Sequence, residues 1–384
     1  MAGHIIECGT QATGGNFSGF RSLPHAGLPL GFPIAEISSD GSSVITKHDG
    51  TGGAVTVDTV TAQVVYEIQS TRYLNPDVTT LLDSIAVDQA GPDRVSISGV
   101  RGEAPPSKLK VCVNELGGFR NSVEFVLTGL EVEAKADWVH QQLTAALAAN
   151  PPADVNWSRT SQPQPDAETE EARPASCTST PATRSAPFTS AAVELALASY
   201  PGFTMTASSR EAHALRHLSP GYVDRSVVSH TVVHADGTRE VIADPEKTHD
   251  VEVEGGQRPS PYPAPSDVLT RRMPLGTFVH ARSGDKGGDA NLGLWIAHDG
   301  SPNYADRVTW LTKLITPKRI RELVPEAAEL EIEVFMLPNL GGVNVLLRGL
   351  LGDGVASSTR FDPQAKGLGE WVRSRMVSVE EALL

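Results

Sequence analysis

Ala281-Arg-Ser-Gly-Asp-Lys-Gly-Gly-Asp-Ala-Asn291 brings together a guanidinium, an ammonium, two carboxylates, a carboxamide and three glycines. It lies between two apolar runs, Leu275 to Val279 and Leu292 to Ile296, that read as short strands, which predicts that its polar residues form the connecting loop. Gly284, Gly287 and Gly288 permit positive φ and close backbone approach, so their N–H groups could converge as an anion-binding nest. Arg282 and Lys286 would add positive charge, and Asn291 a carboxamide. Asp285 and Asp289 would hold those bases in place or act as acid and base. A glycine-rich hairpin whose charges pair in solvent fits the same residues.

Reading outward toward the C-terminus, helices are expected at 304–314 and 317–323, strands at 328–336 and 343–349, and a closing helix near 363–374. Strands and helices of this size suggest a small α+β sandwich, ferredoxin-like in outline. Asn339 and Asn344, in and beside the turn Leu337 to Gly342, could meet the 281–291 stretch, although turn residues need no such role.

Reading outward toward the N-terminus, residues 244–273 are rich in Pro, Gly and charge and read as a linker. A helix at 189–198 and strand-like pieces at 203–206 and 227–233 precede it. Residues 150–186, rich in Pro, Ser, Thr and acid, form an insertion with possible strands at 154–157 and 176–179. Before that come a helix at 131–149 and alternating strands at 94–100, 108–113 and 122–128. Residues 58–68 are an amphipathic run capped by Asp58 or Thr59, preceded by a glycine-rich loop whose Gly52 and Gly53 could present N–H groups to a phosphate or carboxylate. Short strands are expected at 31–37 and 43–46. At the start, Gly14-Gly15-Asn16 is a second possible nest, and His4 and Glu7 would share a face of a helical turn, where Glu7 could act as acid or base. The fold class is therefore α/β, α+β overall: residues 1–243 an α/β domain with the insertion, and residues 274–384 a ferredoxin-fold domain.

The chain has 384 residues, 32 basic and 46 acidic, for a net charge of −14, which argues against nonspecific binding of nucleic acid or anionic membranes. Cys8, Cys112 and Cys177 are too widely spaced for a zinc motif or disulfide framework, and fit a reducing cytoplasm. Met1-Ala-Gly-His-Ile-Ile-Glu-Cys-Gly9 has no basic region and no long apolar core, so it does not read as a secretory signal, and no apolar run reaches membrane-spanning length.

Gly3-His-Ile-Ile-Glu-Cys-Gly-Thr-Gln11, Thr13-Gly-Gly-Asn-Phe17, Gly31-Phe-Pro-Ile-Ala-Glu36, Thr51-Gly-Gly53, Tyr73-Leu-Asn-Pro-Asp-Val78 and Arg282 to Asn291 together resemble the acyclic terpene utilisation, or AtuA-like, family. The resemblance implies an AtuA-like α/β domain, a C-terminal AtuA-like ferredoxin fold, and a cytoplasmic role beside enzymes that degrade citronellol- and geraniol-type acids as acyl-CoA thioesters. It carries over no catalytic residues, no cofactor and no metal. Family members continue for a long stretch before the His-Ile-Ile-Glu-Cys-Gly motif, so a misplaced start or a companion polypeptide supplying that half is expected, as is a homo-oligomer. The two functional expectations are an acyl-CoA-processing enzyme and, alternatively, a non-catalytic scaffold or regulatory subunit of an acyl-CoA carboxylase-type assembly.

Overall fold

The computed structural model describes residues 1–24, 27–127, 131–158, 175–180, 186–201, 203–205, 212–250 and 269–384. In chain order the elements are α1 (Ala2–Ile6), β1 (Pro33–Ile37), β2 (Ser43–Lys47), α2 (Val57–Val64), β3 (Arg72–Leu74), β4 (Thr79–Leu81), β5 (Ala86–Gly91), β6 (Arg94–Ser98), β7 (Arg101–Glu103) and β8 (Lys108–Phe125). There follow α3 (Val132–Leu147), β9 (Asp154–Ser158), β10 (Ala175–Thr180), α4 (Ala186–Glu194), β11 (His213–Asp224), β12 (His230–Val233) and β13 (Arg239–Ile242). The last part holds β14 (Thr270–Pro274), β15 (Val279–Lys286), β16 (Asp289–Ile296), α5 (Tyr304–Leu314), α6 (Pro317–Leu323), β17 (Ile332–Leu337), β18 (Gly342–Leu347), α7 (Leu368–Arg373) and β19 (Met376–Glu380).

The chain forms two compact units: Met1–Cys112 with Pro220–Val355 and Asp362–Leu384, and Val113–Ser219 with Ala356–Phe361. These compact units follow packing rather than the sequence division expected at 243 and 274. The physical reason is a shared core: Trp295, Leu337 and Leu340 of the C-terminal sheet are buried with Ile5, Val60, Ile68, Leu82 and Ile97 of the N-terminal segment. Eighteen residues of the expected linker, 251–268, and much of the expected insertion, 159–174 and 181–185, lie outside the described residues.

The C-terminal sheet of the larger unit is antiparallel, in the order β15-β16-β18-β17. One face is apolar: Val279, Ala281, Leu292, Leu294, Val343 and Val345 pack with Trp310 and Leu311 of α5, Ile320 of α6 and Val372 of α7. Burying this face against helices is what an alternating antiparallel strand demands. The opposite face takes the N-terminal segment. A β-carbon on Gly284 would strike Tyr66 and Glu67, and one on Gly293 would strike Val65, so these glycines let the backbone of residues 65–67 lie close to the sheet. A second four-stranded sheet, β1-β2-β6-β5, and a three-stranded one, β3-β4-β7, complete this segment.

The deciding stretch is not a loop. Lys286 pairs with Asp289, and the register runs back through Asp285↔Ala290, Gly284↔Asn291 and Arg282↔Gly293 to Val279↔Ile296. Only Gly287-Gly288 remains as a two-residue turn, with Gly287 at φ 69°. Residues 275–277 form a 3-10 turn rather than a strand.

In the smaller unit, residues 121–125 of β8 pair with β10, which pairs with β9, so the strands expected within the insertion at 154–157 and 176–179 are present. Val123 and Phe125 pack against Val139, Leu143 and Leu147 of α3 and Phe188 and Ala192 of α4.

Candidate functional site

Because side chains alternate across a strand, β15 sends His280, Arg282 and Lys286 to the face that meets the N-terminal segment, and Ala281 and Ser283 to the face under α7. Contacts bear this out. Ser283 Oγ accepts the Gly369 N–H at 2.8 Å. The Arg282 guanidinium donates to the Asn16 carbonyl at 3.0 Å and to the Gln11 side chain, and lies 4.3 Å from the centroid of the Tyr66 ring. Lys366 brings its ammonium to 5.6 Å from the same ring.

Around Tyr66 the charges crowd. Tyr66 and Arg282 are 3% and 7% exposed; the Tyr66 hydroxyl lies beside the Glu67 carboxylate and the Arg282 guanidinium, and Arg282 Nε has no well-aligned acceptor among the described residues. Burial, with Glu67 beside it, pushes the Tyr66 phenol well above its ordinary value. Burial likewise raises the Asp285 carboxyl, with the negative charge of Glu67 adding to the effect, and it lowers the half-buried Lys286 ammonium. The Cys8 thiol is also raised, by burial and by Glu7 and Glu67, against the pull of Lys366 and Arg282. That disfavours a thiolate nucleophile. Glu7, the exposed C-cap of α1, contributes to the same field.

Asp285, Arg282, Lys286 and Glu7 are thus brought into one electrostatic neighbourhood; the other expected site residues are placed differently. Asp289 is held in an ion network, accepting from Arg348 Nη1 at 2.9 Å and from the Gly349 N–H at 2.8 Å, which fixes the end of the hairpin. Asn291 is fully buried and structural: its Oδ1 accepts the Glu67 N–H at 2.7 Å, and its Nδ2 donates to the Val65 carbonyl at 3.1 Å and to Asn344. Gly284 sits in the ladder opposite Asn291, while Gly287 and Gly288 form the two-residue turn.

The other glycine loops are likewise spent internally. The Gly14 and Gly15 N–H groups close a 3-10 turn on Gln11 and Thr10, while Asn16, at φ 55°, offers its carbonyl to Arg282. Gly52 donates to the Pro29 carbonyl, and Gly53, at φ 77°, has no room for a β-carbon against the Thr13 carbonyl. The helix behind that loop starts from Thr56, whose side chain forms a capping box with Thr59, rather than from Asp58 or Thr59. The Val55 N–H goes to Asp93 and the Val57 N–H to Gln89, which leaves little of that terminus for an anion.

Two elements of the neighbourhood escaped the sequence. The run 58–68 reads as one helix, but α2 stops at Val64, and Glu67 turns to φ 54° where Asn291 holds its N–H. No glycine or proline marks that bend. Asp58, freed from capping, becomes a hub: its carboxylate accepts from Trp295 Nε1 at 2.9 Å and from the His298 N–H and Nδ1 at 3.0 and 2.7 Å. Burial works against its charge, but these hydrogen bonds outweigh it and keep the carboxyl below its ordinary value. His298 Nε2 in turn lies 2.8 Å from the Tyr304 hydroxyl, whose pKa burial pushes up to about 12.

Among the described residues no group of three or more His, Cys, Asp or Glu side chains is arranged to hold a metal ion, and no helix is long and apolar enough to cross a membrane.

No curated protein and no solved structure matches the chain. Two family models do. Residues 273–378, which contain β15 to α7, match the AtuA ferredoxin-like domain. Residues 1–234, which contain α1, Tyr66 and Asp58, match the acyclic terpene utilisation family protein AtuA. The chain belongs to the acyclic terpene utilisation family.

Proposed function

We propose that this protein binds an acyl-CoA or similar anionic thioester of acyclic terpene or branched-acid catabolism at the Tyr66–Arg282–Lys286–Lys366 neighbourhood. The observation that carries the reading is a buried guanidinium, with Arg282 Nε unsatisfied, packed on the Tyr66 ring beside two ammonium groups. A buried donor is seldom left unpaired in a native protein, and an anion or carbonyl oxygen supplies what Arg282 Nε lacks. Arg282, held on one side by Gln11 and Asn16, is pre-oriented for that role, whereas Lys286 and Lys366 act as mobile point charges. Asp285, raised by burial and Glu67, supplies the group for proton transfer to or from the bound thioester. The glycines contribute close approach of backbone to sheet, not direct ligand contacts.

Calorimetric titration with geranyl-CoA tests this. Lys286→Ala is expected to weaken binding at least tenfold, about 1.4 kcal/mol, with an unchanged melting temperature. Equal affinity in the variant, or no binding by the intact protein, overturns the reading.

A further inference from the structure

We propose that Ser18, His280 and Asp58 form an acyl-transfer relay in which Ser18 Oγ is the nucleophile toward an ester or thioester carbonyl. Ser18 Oγ lies 3.0 Å from His280 Nδ1 and accepts the Ala281 N–H at 3.3 Å. The relay uses the tautomer in which the hydroxyl donates to an unprotonated Nδ1. Nε2 carries the ring proton, and it faces Asp58 Oδ2 at 3.9 Å. Nucleophile and base are thus in hydrogen-bond contact, with the Asp58 carboxylate 3.9 Å behind the ring as a nearby negative charge rather than a hydrogen-bond partner, although the three come from a loop, a strand and a helix far apart in sequence.

The ring is held in this position. It packs against Phe17, with centroids 4.8 Å apart, and Trp295, at 5.5 Å. A β-carbon on Gly19 would collide with the ring, so glycine is what allows His280 to reach Ser18. Burial lowers His280 to about 4, which keeps it neutral and able to accept a proton at pH 7. No backbone N–H of Ser18 or Gly19 is bonded to a described residue, so both can meet a carbonyl oxygen.

In the reaction, Ser18 Oγ bonds to the carbonyl carbon as its proton passes to His280 Nδ1. The C–S or C–O bond then breaks, and His280 returns the proton to the leaving thiolate or alkoxide. A water molecule, deprotonated by the same nitrogen, cleaves the acyl-serine and releases the carboxylic acid. Water is the one co-reactant, and the serine is restored. Asp58 acts as a positioning residue.

The relay stands apart from the anion-binding reading, and its test uses reagents without phosphate on CoA or any other carrier: p-nitrophenyl acetate and a fluorophosphonate, with the full chain. The fluorophosphonate is expected to add one adduct, mapped to the peptide containing Ser18, and to stop ester hydrolysis. Ser18→Ala should remove that adduct and lower hydrolysis at least 100-fold. Gly19→Ala, which removes no functional group, should lower it at least tenfold by displacing the ring. The rate should rise with pH along a limb centred well below 6.5, and Asp58→Asn should move that limb. The charged groups that face His280 and share in setting it are Asp58, Arg373, His298 and Asp299. Absence of the Ser18 adduct in folded wild-type protein, or undiminished hydrolysis by folded Ser18→Ala, overturns the proposal.

Discussion

Asn291 ties the bend at residues 65–67 to the sheet. Its side chain satisfies one buried N–H and one buried carbonyl of a segment more than two hundred positions away in sequence. Asn291→Leu keeps the volume and removes both bonds, so it should cost about 2–4 kcal/mol, the penalty for stranding buried polar groups. Denaturant midpoints for the two proteins measure this. The two buried histidines act on stability through pH. His4 and His280 are both lowered from 6.5 to about 4, first of all by burial. A folded state that refuses protons the unfolded chain accepts is stable above the unfolded value and loses that stability as pH falls. The window is therefore 6.5 down to about 4, and each histidine is worth roughly 3 kcal/mol across it. Urea midpoints at pH 7.5 and 4.5 should differ accordingly, and His4→Gln should narrow the gap.

At the level of elements, the α2 capping box predicts that Thr56→Ala lowers stability by about 1 kcal/mol, read from thermal unfolding. The elements of the last hundred or so residues were legible: helices at 304–314 and 317–323 stand where periodicity puts them. The hairpin was misread because its polar side chains suggested solvent. His280, Arg282, Gly284 and Lys286 do follow a period of two, but the partner that makes this face an interior is the segment around residues 1–68, which no local pattern announces. The same distance hid Glu67 and the Asp58 hub. Of the candidate site, Arg282, Lys286 and Asp285 were legible as chemistry. The glycines were legible as tight geometry, but the N–H groups of Gly14, Gly15 and Gly52 were already committed to turns, and Gly284 sits in the strand ladder.

For the whole molecule, the α+β character and the ferredoxin-like domain were legible, and the compact units were not, since composition marks the 244–273 stretch but cannot show which faces are buried together. β1 ends its sheet with Ile37 70% exposed. An apolar edge of this kind invites pairing with another chain. Self-association through that edge, our proposal for the expected homo-oligomer, predicts that Ile37→Lys lowers the mass measured by light scattering. The larger unit is built from three separate stretches, with residues 113–219 between the first and second. On a ribosome the first stretch therefore emerges long before β15 and β16, which cover it. Throughout that interval Ile5, Val60 and Ile68 lack the sheet that covers them, so chaperone binding or fast elongation through the following two hundred residues would lower the risk of aggregation before the final third is made.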